Sequence, residues 1–354
     1  RIYQFYKSKK KILAFTNFNC FSFVWWINNI ITRISCRPVY IRNFLEQMTK
    51  YIKKPFEEKN GIFSFSINDS ETKKVTEFYK VTPFPNYKDD DNKQTILEKG
   101  NRNILAQQFK KFIGFKKKVL EVGCGTGQLS IFFSLGTNNE VVGLDPTIQS
   151  LELAKNFTKK NEITNIEFVN ADIFDDVLVE DYFDFVWCNG VLHHTKDPYK
   201  AFEIISKSLK DNGYILLGLY NKIGRTRTII RKYISKIFGT KFLEIFDPTL
   251  KNLKISNAER NSWIKDQYHH PIESLHSLDE VLCWFKKNDI EFVNSIPSCD
   301  FEISQDYQKL FEKKSKGNFY SRIINQIFMV FNKLGSDGGL FIVIGKKNTK
   351  TNSN

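Results

Sequence analysis

Three glycines, Gly123, Gly125 and Gly127, alternate with Cys124 and Thr126 two residues behind the acid Glu121. Glycine lets the main chain turn tightly and lets a ligand come close to the backbone. A helix opening at Gln128 offers free N–H groups and a positive dipole end to whatever sits on that turn. Asp145 closes the next apolar run, 18 residues after Gly127. A carboxylate there can accept both ribose hydroxyls of a nucleoside. Asp172 follows the third apolar run, in Asn170-Ala171-Asp172-Ile173. It can accept the exocyclic amino group of adenine while Ile173 packs on the ring. Each acid alone reads equally well as a helix cap or a surface residue. All three features in order, at the ends of successive strands, point to a nucleoside-containing cofactor.

The elements that must position these residues show as alternating patterns. Val119 to Val122, Glu140 to Leu144, Ile166 to Val169, Phe183 to Cys188 and Tyr214 to Tyr220 are short apolar runs that predict strands. Helical spacing fills Gln128 to Leu135, Thr147 to Asn161 and Tyr199 to Leu209. Such alternation implies βαβ units and a parallel sheet. Residues 222–275 interrupt it. Ser277 to Asn288 then predicts a helix with Ser277 as N-cap and Glu280 at its third position. Ile290 to Val293 predicts a sixth strand and Gly339 to Gly345 the last, with a second interruption over 297–336. Upstream, Ile96 to Phe115 has helical spacing.

A dinucleotide fold spaces its glycines G-x-G-x-x-G, and the third position falls here on Gln128. Val119-Leu120-Glu121-Val122-Gly123-Cys124-Gly125-Thr126-Gly127 instead resembles the first motif of class I S-adenosylmethionine-dependent methyltransferases. Phe183 to His194 resembles the fourth-strand segment of the family's small-molecule branch, and Gly213 to Leu217 the turn and strand after it. The resemblance implies a Rossmann-like α/β fold: a seven-stranded mixed sheet with an antiparallel last strand and helices on both faces. It implies S-adenosyl-L-methionine as cofactor, with donor contacts from Gly123, Gly125, Gly127, Asp145, Asp172 and Asn189. Glu121, Cys124, Thr126, Gln128 and Ile173 complete the candidate cofactor-binding set. The flanks resemble a narrower bacterial group through Pro83 to Tyr87, Gly218 to Arg225, Asp266 to Pro271 and Gly338 to Gly345. The likeness covers roughly Phe78 to Lys347 and names no substrate.

The five histidines cluster after the fourth strand (His193, His194) and in the first insertion (His269, His270, His276). Ligands bind at the carboxyl ends of such sheets, so His193, His194 and His269 are the candidate general bases for a hydroxyl acceptor. Structural packing is the competing reading for each. Neither a His-x-x-x-His spacing nor a carboxylate triad accompanies them, so no metal is expected. Asn189-Gly190-Val191-Leu192 lacks the Pro-Pro-aromatic pattern of enzymes that methylate exocyclic amino groups of bases. Trp187-Cys188 lacks the Pro-Cys nucleophile of cytosine C5 enzymes. Both absences favour a small-molecule or lipid-like acceptor over nucleic acid. The alternatives are an RNA methyltransferase and a non-catalytic donor-binding protein.

Length and charge bound the rest. The 354 residues carry a formal net charge of +14, of which residues 1–55 hold eleven Lys or Arg against Glu46. A basic arm of this kind can meet nucleic acid or an anionic membrane. The chain opens with Arg1 and has two methionines, Met48 and Met329. That pattern suggests a start at Met48 and residues 1–47 as an extension that is not translated. A turn-rich helical segment is expected over 48–115, the catalytic domain over 116–347, and a disordered tail over 348–354. The insertions 222–275 and 297–336 flank the ligand end and are expected to form a lid. Arg225, Arg227, Arg231 and Lys232 in the first could meet an anionic acceptor or a membrane surface. The six cysteines fit neither a disulfide framework nor a zinc site, which suggests a reducing, cytoplasmic compartment. Cys20 to Ile34 is the most apolar early run, but Asn28 and Asn29 break it short of the roughly 18–20 residues a membrane span needs.

Overall fold

Runs of Val, Ile, Leu and Phe buried on both faces become the strands of one sheet. The computed structural model describes residues 50–81, 83–247, 249–251, 257–300, 307–331 and 339–349. The strands are β1 Glu57–Lys59, β2 Ile62–Ser64, β3 Lys118–Val122, β4 Glu140–Asp145, β5 Ile166–Asn170, β6 Phe183–Asn189, β7 Leu209–Tyr220, β8 Ile290–Ile296 and β9 Leu340–Lys347. Their order across the sheet is β1-β2-β5-β4-β3-β6-β7-β9-β8. Strands β3 to β7 pair in parallel, and β9 runs antiparallel between β7 and β8. All these elements lie in the compact unit that begins at Lys53. Residues 1–47 and the tail from 350 onward lie outside the described residues.

The sheet has nine strands where seven were expected. The two extra strands form a hairpin through Asn60 and Gly61, both with positive φ (55° and 79°). An Asn-Gly pair is the strongest short hairpin signal, because its turn needs positive φ at both central residues. Strand β2 then adds in parallel to β5 through Phe63↔Val169 and Ser64↔Asn170.

The helices are α1 Ser70–Val81, α2 Lys93–Arg102, α3 Ile104–Ile113, α4 Gln128–Ser134, α5 Ile148–Lys160, α6 Pro198–Lys207, α7 Thr226–Phe238, α8 Lys241–Phe246, α9 Asn257–His269, α10 Leu278–Lys287 and α11 Phe319–Phe331. The single helix expected over Ile96 to Phe115 is two, broken at Asn103. That residue is extended (φ −83°, ψ 100°) and ends α2, while its side chain accepts from Ala106 N at 3.1 Å to start α3. An Asn side chain that satisfies a free N–H competes well with one more helical turn. Ser277 caps α10 as the sequence predicts, accepting from Glu280 N at 3.2 Å.

Along each strand alternate residues face opposite sides. Val119, Val141, Phe168, Phe185 and Trp187 share one cluster with Phe109 of α3 and Phe132 and Phe133 of α4. Leu120 and Val186, which alternate with them, are as fully buried on the other side. There Phe202 of α6 stacks on Phe285 of α10, ring centroids 5.6 Å apart. Helices therefore cover both faces, and every ligand-facing loop is held at the carboxyl edge. Among the described residues no helix is long and apolar enough to cross a membrane.

Candidate cofactor and acceptor site

A cavity of about 470 Å³ opens at the carboxyl ends of β3, β4, β5 and β6. Glu121, Gly123, Cys124, Gly125, Gln128, Asp145, Asp172, Ile173, Asn189 and His194, all singled out from the sequence, line it. Thr126, Gly127, His193 and His269 do not. Thr126 is wholly buried, and its hydroxyl donates to the Pro85 carbonyl. His193 is wholly buried and His269 is exposed at the end of α9.

The glycine turn is tied down from both sides. Gly123 N donates to the Leu144 carbonyl at 2.7 Å. Gly125 N donates to Asp145 Oδ2 at 2.8 Å, and Thr147 N to Asp145 Oδ1 at 2.8 Å. The segment Pro83 to Tyr87 straps the turn from above. Tyr87 donates its hydroxyl to the Thr126 carbonyl at 2.8 Å and stacks on Phe157. Gln128 Nε2 reaches the Pro85 and Asn86 carbonyls at 3.3 and 3.1 Å. Gly125 has φ +52°, and a β-carbon on it would stand 2.5 Å from the Phe84 carbonyl oxygen. Backbone twist and the close strap both require glycine there.

The acids keep free acceptor capacity. A carboxylate can accept about four hydrogen bonds. Asp145 has taken the two N–H groups named above. Asp172 accepts Phe174 N at 3.0 Å and the Thr72 hydroxyl at 2.6 Å, one on each oxygen. Burial raises the Asp145 carboxyl above its ordinary range, against the pull of those two N–H groups. Burial also pushes Glu121 up to about 8, while the hydroxyl and N–H of Ser130 oppose the rise and the charge of Asp145 adds to it. The Asn189 Oδ1 is buried without a hydrogen-bond partner. A buried carbonyl oxygen left unpaired costs about 1–3 kcal/mol, and this one lies against Gly218, where a β-carbon would stand 1.8 Å from it.

Opposite the turn the lining is aromatic: Tyr79, Tyr220 and Trp263, with Thr72, Gln267 and His194 among them. His194 Nδ1 donates to the Ile272 carbonyl at 2.7 Å, which leaves Nε2 as the acceptor of the ring. Burial holds its pKa down to about 4, so the ring is neutral near pH 7. The ring of His270, which does not line the cavity, lies 3.6 Å from it. His193 stacks on Tyr220 at 3.8 Å, and burial holds its pKa well below the ordinary value. Behind this wall Arg225 is wholly buried. Its Nε and Nη2 donate to Glu273 at 3.1 and 2.9 Å, and its Nη1 to Gln267 Oε1 at 2.8 Å. Tyr79 had no signal in the sequence, because its helix has no fixed spacing to the glycines, whereas Trp263 and Gln267 fall in the insertion 222–275 expected to form a lid, without being singled out as site residues.

Residues 114–273 match the family model described as a methyltransferase domain. A Haemophilus ducreyi ubiquinone biosynthesis O-methyltransferase is 31% identical over 156 residues, 43% of this chain and 60% of the relative. An uncharacterized protein of Synechococcus is 23% identical over 200 residues, 50% of this chain and 48% of its own length. The chain thus spans about half the length of the curated relatives it matches. A solved structure of PKMT2 from Rickettsia typhi in complex with AdoHcy covers 70% of this chain and 53% of its own, with 17% identity and a TM-score of 0.47. The matched domain spans β3 to β7, the strands that carry the glycine turn and both acids, and residues 114–273 form a methyltransferase domain of the class I S-adenosylmethionine-dependent type.

Proposed function

We infer that this chain transfers the methyl group of S-adenosylmethionine to an oxygen or nitrogen of a small-molecule or lipid-like acceptor. The observation that carries the reading is one cavity lined together by the Gly123–Gly125 turn, Asp145, Asp172 and Asn189. Bound there, the donor supplies a sulfonium methyl that is already strongly electrophilic. Asp145 keeps acceptor capacity for the ribose, Asp172 and Ile173 meet the adenine edge and face, and Asn189 and the turn hold the amino-acid end. Asp145 puts negative charge near a ligand that carries positive charge, and Glu121 gains its charge when that ligand drives its proton off.

The residues then have two tasks: to align the acceptor in line with the methyl and to exclude water. Tyr79, Trp263 and Tyr220 supply an apolar wall for the acceptor. His194 is the candidate general base, since its Nδ1–H is held by Ile272 and its Nε2 lone pair is free to take the acceptor proton. The relative named for ubiquinone O-methylation supports a small acceptor with a hydroxyl. The insertion that carries Trp263 and Gln267 serves as the acceptor lid.

Calorimetric titration of the full chain with S-adenosylmethionine, with NADH as control, tests the reading. Micromolar binding of the methyl donor alone is expected. Tight NADH binding with no response to the methyl donor would overturn it.

A further inference from the structure

Helix α7 is amphipathic the wrong way round. Its buried residues are Thr228 and Ser235, while Ile230, Tyr233, Ile237 and Phe238 are 51%, 63%, 76% and 71% exposed. A helix packed on a soluble core shows the opposite arrangement. At about 100° per residue, Ile230, Tyr233 and Ile237 fall within an arc of ~60°, and Arg227 and Lys236 lie about 60° beyond its two edges. The ridge continues into α8. Phe238, Phe242 and Phe246 form a ladder with centroids 6.4 and 4.3 Å apart, and Ile245 beside them is 59% exposed. Across α7 and α8 the sequence holds Arg227, Arg231, Lys232, Lys236 and Lys241 against one acid, Glu244.

We propose that this outward face of α7 and α8 docks on an anionic phospholipid bilayer. An apolar ridge flanked by cations is the pattern of a helix lying in the membrane interface. Each basic residue near an anionic surface adds about 1 kcal/mol of attraction, a factor of about five. Other occupants fit less well. A second copy would set Arg227 and Lys236 against their own likes across a two-fold axis. The arm within residues 1–55 is itself strongly basic, so it does not complement the rim. Nucleic acid would meet the cations and the aromatic rings, but its charged backbone gains nothing from Ile230, Ile237 and Ile245 between them. The docking face belongs to the same insertion as Trp263 and Gln267 of the cavity wall. Asp247, directly after α8, accepts from Trp263 Nε1 at 3.0 Å and from the Tyr268 hydroxyl at 2.6 Å. A docked surface therefore brings the cavity wall close to the lipid. The inference does not depend on methyl transfer.

Co-sedimentation of the full chain with phosphatidylcholine vesicles, with and without phosphatidylglycerol, tests it. Binding is expected only with the anionic lipid, and Ile237→Asp/Phe238→Asp is expected to weaken it at least ~tenfold. Both sites are exposed, and unchanged S-adenosylmethionine affinity or thermal unfolding of the variant verifies its fold. Ile237→Trp, which keeps the ridge apolar, is expected to show a blue-shifted emission on the same vesicles. Wild-type chain left in the supernatant would overturn the proposal. So would a double-Asp variant that still sediments, which would assign binding to the basic arm. Concentration-dependent dimers abolished by the same double substitution, with no vesicle binding, would assign the face to a second copy.

Discussion

Asn189 and Gly218 are register partners on neighbouring strands, and a β-carbon on Gly218 would overlap the Asn189 amide oxygen. The missing side chain of Gly218 is the space in which Asn189 stands. Gly218→Ala must push the amide out of place, at a cost typical of overpacking, about 1–3 kcal/mol. If Asn189 holds the donor, affinity for S-adenosylmethionine should fall about ten- to hundredfold in Gly218→Ala and in Asn189→Ala alike. Calorimetry on both variants checks this. Equal affinity in the wild type and Asn189→Ala would remove Asn189 from the donor site.

The raised Glu121 carboxyl makes donor binding a proton-linked event. The folded chain keeps the Glu121 proton up to about pH 8, whereas the unfolded chain releases it near its ordinary value. Between those limits the folded state binds more protons, so this contribution to stability is full at low pH and is lost as pH rises through about 8. A cationic ligand beside the carboxyl favours its charged form and drives the proton off. Near pH 7 donor binding should therefore release protons, measured as a dependence of the titration heat on the buffer's protonation enthalpy. Glu121→Gln should abolish that dependence. An unchanged dependence in this variant would place the released proton elsewhere.

The core of the fold was legible because β3, β4, β5 and β6 are short, mostly apolar runs, each followed by a signal with a physical cause. The glycine turn, Asp145 and Asp172 are such signals. The hairpin at Asn60–Gly61 was equally legible as a dipeptide, yet its strands are three residues long and show no alternation to confirm them. The break at Asn103 had a signal, since Glu98 to Asn103 interrupts the apolar period and holds Gly100, Asn101 and Asn103, residues that end and cap helices. The acceptor wall was legible only as an insertion, 222–275, expected to close over the ligand end. Tyr79, Trp263 and Gln267 come from α1 and α9, far apart in sequence, and only tertiary packing brings them to one cavity. Of adjacent histidines, spacing cannot tell His194, on the cavity, from His193, behind Tyr220.

His194 should act without a nearby acid limb in the pH profile. Burial holds it near 4, so it stays neutral and able to accept a proton well below pH 6. The folded state binds fewer protons than the unfolded chain between about 4 and its ordinary 6.5. This group's contribution to stability is therefore present above 6.5 and lost as pH falls toward 4. His194→Ala should lower kcat about 10²- to 10⁴-fold for a hydroxyl acceptor, with donor affinity close to wild type. A variant with wild-type kcat would return the ring to a packing role beside His270.

Arg225 ties the first insertion to the sheet. Its guanidinium lies over the Tyr220 ring at 3.4 Å and forks onto Glu273, and Gln267 Nε2 donates to the Tyr220 hydroxyl at 3.0 Å. Tyr220 ends β7, while Gln267 and Glu273 belong to the insertion, so one buried cation sets the distance between the two cavity walls. Lysine cannot reproduce a planar fork that also stacks on a ring. Removing one partner of a buried pair costs about 3–5 kcal/mol, because the other charge is left in a poor solvent. Arg225→Lys and Glu273→Gln should each lower stability by an amount of that order in denaturant unfolding, and should raise KM for the acceptor more than for the donor. The donor contacts lie on β3 to β6, outside the reach of this clamp. A variant that lost donor and acceptor affinity in equal proportion would show that Arg225 supports the whole sheet end and does not set the acceptor wall.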